Sequence, residues 1–258
     1  FWSESMISLS ATLTTTLWIA IASTVVVMLA GTPLAYALSR PGWRWRGLVD
    51  ALANVPLLLP PSVVGFYLLY LLAPNGWLGR IFAHLGVPPL LFTPWAAVLA
   101  AAVVASPLYI QALRTSLEAV DSELIEAAMT DGATRLTAVR YITLPLARDG
   151  VITGALLAFA RSIGEFGATM IVAGNIPGRT QTLSLAVYTA LQAGLDETAH
   201  ALSLVAVGVG SLVTWVTLRL RSRSRSAWTL EACHSRTPPK PKTRRRRRPR
   251  SHLRSRRV

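Results

Sequence analysis

The sequence predicts an all-α, polytopic membrane protein of about five transmembrane helices, and three observations carry that prediction. The composition is apolar: 52% of residues are hydrophobic, 15% are charged, and the mean hydropathy is +0.44. A soluble domain carries nearer a quarter charged residues. Five stretches are long and apolar enough to cross a hydrocarbon core of about 30 Å, which takes about 20 residues in helix. The charge is also segregated. Up to Leu218 there are ten basic and eleven acidic residues, and from Arg219 onward sixteen and one, so the net charge of +14 belongs to the C-terminal segment.

The five stretches are approximately 12–38, 49–72, 94–113, 146–172 and 201–218. Pro33, Pro56, Pro60, Pro61 and Pro107 lie inside them. Such prolines would break a soluble helix, but inside a bundle neighbouring helices re-satisfy the freed carbonyls, so they are expected as kinks. The segment TLSLAVYTALQAG (182–194) is apolar but too short to cross unaided. It reads as an external or re-entrant helix, with a sixth span left open. No short apolar run with a small-residue cleavage site precedes the first long stretch, so no removable signal peptide is expected.

Loop charge orients the spans. RPGWRWRG (40–47) carries three arginines, and the connection between the third and fourth spans is flanked or occupied by Arg114, Arg135, Arg140 and Arg148. The other two connections, 73–93 and 173–200, carry one basic residue each, Arg80 and Arg179. Arginine-bearing loops stay in the cytoplasm, which places the N-terminus outside and the C-terminal segment inside. Trp43 and Trp45 suit an interfacial belt.

Several chemistries are absent from the pattern. The one cysteine, Cys233, lies in the basic segment, so no disulfide framework is expected. His84, His200, His234 and His252 have no metal-ligand spacing, and no glycine-rich loop ends in Gly-Lys-Ser/Thr. The chain is therefore expected to hold no metal and no cofactor, to contain no catalytic residue and not to be an enzyme.

Between the third and fourth spans runs EAAMTDGATRLTAVRYITLP (126–145). Asp121 or Ser122 can cap a short helix that Gly132 ends in a left-handed conformation. Leu124, Ile125, Ala128 and Met129 share one face of it. A second helical segment should follow, with Leu136, Val139 and Ile142 in register, before Pro145 opens the next span. The product is a compact helix–turn–helix knob, and an amphipathic helix seated in a groove is a recurrent mode of recognition.

The spacing Glu-Ala-Ala, three residues, Gly, nine residues, Ile, one residue, Leu-Pro is met by Glu126, Ala127, Ala128, Gly132, Ile142, Leu144 and Pro145. It resembles the coupling motif of permease subunits from binding-protein-dependent ABC importers. In that family the motif docks into a cytoplasmic ABC ATPase and transmits its closure, so the resemblance implies that a separate subunit hydrolyses ATP. Two further segments, VPLLLPPSVVGFYLL (55–69) and FARSIGEFGATMIVAGNIPGRTQTLSLAVYT (159–189), resemble the molybdate-importer permease. Sulfate-type permeases are similar across GEFGA and GNIPG, while RTQTLSLAVYT is closer to the molybdate type. The resemblance runs from about Leu9 to Leu220. It implies a bacterial inner-membrane permease domain over residues 1–220, with its coupling loop at about 121–145. It further implies a homodimer, an extracytoplasmic molybdate-binding protein, import by alternating access, and molybdate or its near-twin tungstate as cargo, with a sulfate or thiosulfate permease as the alternative.

In the second segment Arg161 and Glu165 stand four residues apart on the same helix face, inside or near the bilayer. Ionisable groups in a membrane face a bundle interior or an aqueous path. They are candidate pathway or gate residues, against the simpler reading of an ion pair that neutralises itself and locks helices together. Gly164, Gly167 and Gly174 suit close helix packing, which in lipid relies on small residues. Asp50 and Asp149 read as interfacial.

Residues 221–258, rich in Arg, Pro and Ser, have no apolar periodicity and are expected to be a disordered extension without a role in the transmembrane body, such as read-through past a frameshift. Two rivals of another class fit less well. An ion-coupled secondary transporter predicts internal repeats, and no duplicated half is visible. A membrane-anchored nucleic-acid binder acting through the basic run leaves five spans unexplained, so nucleic acid is not an expected partner. Truncation after Arg225 should leave transport unchanged in a radiotracer uptake assay; loss of uptake at normal expression would make the segment functional.

Overall fold

A computed structural model describes residues 9–40 and 42–234, with side chains to Val216 and at Arg219. It is built from helices: α1 (Leu9–Ser39), α2 (Arg46–Leu58), α3 (Pro61–Leu72), α4 (Trp77–His84), α5 (Pro94–Glu118), α6 (Ser122–Thr130), α7 (Arg135–Ala138), a π-helical turn (Val139–Thr143), α8 (Leu144–Leu146), α9 (Arg148–Ile163), α10 (Gly167–Ala173), α11 (Leu183–Gln192) and α12 (Asp196–His234). Three of the described helices are long and apolar enough to cross a membrane: α1, α5 and the Asp196–Val216 part of α12. Two bent pairs, α2 with α3 and Arg135–Leu146 with α9, bring the number to five if each pair is one span. At ten residues α11 is about 15 Å long, too short to cross alone. It lies along α1, where the Leu183 amide donates to Thr16 Oγ1 at 2.8 Å.

The interior is organised around α5, which packs against α1, α9, α10 and α2. Its sequence explains how one helix takes so many neighbours. Ala96, Ala97, Ala100, Ala101, Ala102 and Ala105 are buried on its several faces, and small side chains let backbones approach where lipid offers no hydrophobic drive. The bulkiest of its buried side chains is Tyr109, wholly enclosed. Its ring fits between two glycines: a Cβ on Gly31 of α1 or on Gly154 of α9 would stand 2.8 Å from it. Its hydroxyl shares a 2.7 Å hydrogen bond with Thr32 Oγ1. Nearby, Pro107 removes the amide that would serve the Val103 carbonyl, and the Ser106 hydroxyl donates to that carbonyl at 2.9 Å instead.

Two expected continuous spans are broken. Between α2 and α3 the axis turns by 114°. Leu59 and Pro60 are extended, with ψ of 145° and 135°, because a residue preceding proline is pushed out of the α region and both here precede one. The 146–172 stretch divides at Gly164–Phe166 into α9 and α10, and Arg135–Leu146 meets α9 at a 68° bend. The chain divides into two units at Arg221/Ser222. Within the second unit residues up to His234 are helical, where the sequence suggests disorder; the rest of that segment lies outside the described residues.

The glycine–tyrosine clasp yields a stability prediction. Gly154→Leu must displace Tyr109 ring and backbone atoms and should abolish the folded, monodisperse protein in detergent. Tyr109→Phe forfeits one hydrogen bond and should cost about 1 kcal/mol, read as a small fall in the midpoint of thermal unfolding.

Candidate functional site

The 126–145 motif folds into a projecting knob. Asp121 caps α6, its carboxylate accepting from the Glu123 amide at 3.0 Å, and α6 buries none of its nine residues. Gly132 has φ +93°, a conformation that side chains with a Cβ resist. Thr134 then caps α7 through the Thr137 amide at 3.2 Å. Leu124, Met129 and Leu136 are exposed. Glu126 and Ala127 are exposed on α6 and Ala128 is half-buried; Ile142 and Leu144 are half-buried and Pro145 exposed.

The second half of the knob departs from the expected register. Ala138 and Thr143 are its buried residues, five apart, while Leu136 is exposed and Val139 and Ile142 are only half-buried. The π-helical turn inserts one extra residue, with the Leu144 amide bonding the Val139 carbonyl. It sits just before Pro145, whose ring would clash with the carbonyl four residues back in a regular helix. A shallow hollow between the knob and the end of α1 is lined by Arg40, Ser122, Ile125, Glu126, Met129 and Arg135. Arg40 is steadied over the Tyr36 ring, 4.6 Å from its centroid.

Beside the knob the structure assembles polar residues that the sequence reading treated singly or passed over. Arg114 Nη1 lies 2.6 Å from Asp50 Oδ2, and its Nε donates to Glu118 Oε1 at 2.9 Å. Arg46 reaches the same Glu118 oxygen at 2.5 Å. Asn54 donates to Asp50 Oδ1 at 3.1 Å, and Gln111 donates to Asn54 Oδ1 at 3.1 Å. Asp50 is thus a partner in an ion-pair network. Asp149 lies 3.9 Å from Arg148. A signal was present in the sequence: Arg46, Asp50 and Asn54 recur at four-residue spacing, and Gln111, Arg114 and Glu118 share a second helical stripe.

Arg161 and Glu165 are brought together, but not on one helix face. α9 ends at Ile163, so Arg161 occupies its last turn and Glu165 lies in the break before α10. Arg161 Nη1 stands 2.9 Å from Glu165 Oε2, an ion contact without hydrogen-bond alignment. Glu165 Oε1 accepts from the Ala168 amide at 3.0 Å. The cation at the end of α9 and the anion at the start of α10 each complement their helix terminus. Glu165 is only 2% exposed, and the Ser162 hydroxyl close by is also buried without a hydrogen-bond partner. Phe166, in the same break, lies 5.2 Å from the Tyr188 ring of α11.

The three glycines of this segment stand in different settings. A Cβ on Gly167 would be 3.1 Å from the Ser62 amide, at the contact of α10 with α3. Gly65 of α3 faces Ala168 still more closely. Nothing lies within 4 Å of a Cβ on Gly164, so no close approach depends on it. Gly174 ends α10 with φ +70°, against Phe92.

Residues 27–226 match the family model described as binding-protein-dependent transport system inner membrane component. The chain is 42% identical over 180 residues to the molybdenum transport system permease protein ModB of Escherichia coli (strain K12), covering 69% of this chain and 78% of that one. It is 37% identical over 185 residues to ModB of Azotobacter vinelandii, covering 72% and 82%. Among solved structures, it resembles a bacterial ABC transporter involved in the import of the acidic polysaccharide alginate, with TM-score 0.67, 14% identity and 86% of each chain covered. It also resembles the inward-facing MetNI methionine ABC transporter, with TM-score 0.59, 20% identity and 84% and 99% covered. At those identities the likeness speaks for the fold.

The break predicts non-additive mutations. Removing either Arg161 or Glu165 strands a charge in a poorly solvated place, at a cost of about 3 kcal/mol or more. The double variant Arg161→Met/Glu165→Gln should be less destabilised than the single changes sum to. Thermal unfolding of the detergent-purified variants measures this, and strictly additive losses would dissolve the pair.

Proposed function

The chain belongs to the family of inner-membrane components of binding-protein-dependent transport systems, and from that premise we propose that it is the permease subunit of an ATP-driven importer carrying molybdate, with tungstate as a near-twin. The observation that carries the mechanism is the knob. A nine-residue helix that buries none of its residues, bearing exposed Leu124 and Met129, projects between two membrane-crossing elements. Exposed apolar side chains of that kind mark a docking surface. The support for the cargo is the identity of 37–42% to permeases named for molybdenum transport.

In this reading two copies of the chain form the pathway, and a cytoplasmic ABC ATPase receives each knob. Leu124 and Met129 seat in its cleft, and Ala127 permits close approach beside Glu126. An extracytoplasmic binding protein delivers the oxyanion, so the membrane portion needs only to pass it on. Hydrolysis belongs to the ATPase; the permease supplies two conformations that the nucleotide state weights differently, since a ligand shifts an equilibrium only by its differential affinity. The arginine-bearing loops face the cytoplasm with the C-terminal segment, and the N-terminus faces outward. Arg46 meeting Glu118 supports this by putting the 40–47 loop beside the knob's root. Arg161 and Glu165 form the gate: their mutual neutralisation lets a break in the helix lie within the bilayer, and the Ser162 hydroxyl beside it, buried without a hydrogen-bond partner, is a polar atom that an opening pathway would hydrate.

Coupling and cargo are separately testable. Glu126→Lys alters the docking face, and Gly132→Pro is incompatible with positive φ. Both variants should insert normally, while ATPase co-purification and cargo-stimulated hydrolysis in liposomes fall about tenfold or more, about 1.4 kcal/mol of docking free energy; wild-type values for both would remove the coupling role. Uptake of labelled molybdate should resist excess sulfate and yield to tungstate. Competition by sulfate would turn the cargo to the sulfate type.

A further inference from the structure

The polar network beside the knob joins two elements that have little else in common. α2 buries none of its thirteen residues, and in lipid an apolar surface alone does not hold one helix to another. Val49 and Ala53 touch the core cluster around Tyr109. The directional contacts of α2 with α5 are those of Asp50 with Arg114 and Gln111, Arg46 with Glu118, and Asn54 with Gln111. Two cations meet two anions, so the cluster is neutral. Arg114 stands at its centre, with 17% of its side chain exposed, and bridges both carboxylates.

The position of this cluster gives it mechanical meaning. Glu118 is the last residue of α5, and α6 begins at Ser122, so the network grips the stalk of the knob. At its other end α2 leads through the Pro60–Pro61 elbow into α3. There Gly65 faces Ala168, and Ser62 faces Gly167, just beyond the Glu165 break. Each joint is a tight contact or a stiff proline, so the limb moves as a lever if its base is held.

We propose that Arg114 is a positioning residue for transport: by tying Asp50 of α2 to Glu118 at the foot of α5, it makes the α2–α3 limb follow the knob, so that a displacement imposed on the knob reaches the 164–166 break. This rests on the importer reading for its consequence, but the tie itself can be measured independently. Asp50 is the partner on the moving limb, and Arg46 with Glu118 forms the second strand of the tie. Loss of Arg114 leaves α6 and its docking face intact and releases the limb.

The test has two arms, both on the full chain in a Cys233→Ser background. In the first, nitroxide labels on the exposed positions Ala51 of α2 and Thr115 of α5 report their separation in nanodiscs. The distribution should be narrow with Arg114 present, broad in Arg114→Met and in Asp50→Asn, and partly restored in Arg114→Lys, which keeps the charge but not the two-pronged geometry. In the second arm, the chain assembled with its ATPase and binding protein should show molybdate imported per ATP hydrolysed falling about tenfold in Arg114→Met, within the range of coupling free energies. ATPase co-purification should stay at the wild-type level. A distribution that stays narrow in both Arg114→Met and Asp50→Asn overturns the proposal, as does a broadened distribution with wild-type coupling. A wild-type complex whose hydrolysis ignores molybdate-loaded binding protein sinks the importer reading instead, and the label distances still decide whether the tie exists.

Discussion

Helices in lipid are held by contact, because the solvent around them is as apolar as they are, and the centre of this protein is shaped by that requirement. α5 presents alanine on several faces, and its largest buried side chain, Tyr109, is accommodated by glycines on α1 and α9. The clasp sets the distance between three elements at once. A methyl group added on either side would part them, and both the knob and the α9–α10 break hang from helices so positioned. The same closeness leaves polar atoms little room, so the carbonyl freed by Pro107 is served within its own helix by Ser106.

The places that can move are those where the helical pattern is interrupted. A glycine in the left-handed region ends the knob's first helix, and an extra residue is taken up before Pro145. Each interruption has a local chemical cause, and each stands next to a residue of the candidate site. Rigid segments joined at such points can be displaced relative to one another without disturbing the packing around Tyr109. That is the mechanical property an alternating-access permease needs.

Charge is handled differently in the two polar clusters. Beside the knob, Arg46, Asp50, Arg114 and Glu118 satisfy one another with hydrogen-bonded neighbours, which favours a fixed geometry. At the break, Glu165 is buried with one oxygen capping α10 and the other facing Arg161 in poor alignment, and the Ser162 hydroxyl is unsatisfied. Buried polar atoms lacking partners are costly. The first cluster suits transmission of a movement, and the second suits a place where that movement ends.

Apolar run length and loop charge, both local properties, determined the membrane-spanning class and an orientation expectation from the sequence alone. Local chemistry also foretold the knob's first half, since Asp121 as a cap and Gly132 as a stop each act within a few residues. The second half was not legible, because where a proline-associated clash is relieved depends on what the adjoining turn packs against; the buried face became Ala138 and Thr143 rather than Leu136, Val139 and Ile142. The pairing of Arg161 with Glu165 was readable from spacing, but its geometry was not: a four-residue interval looks the same in a continuous helix and across a break. Only the tertiary structure joined Asp50 to Arg114, sixty-four positions apart. Two half-charged helical stripes say nothing of each other until α2 is laid against the foot of α5, and that placement is set by the packing of α5 with its neighbours.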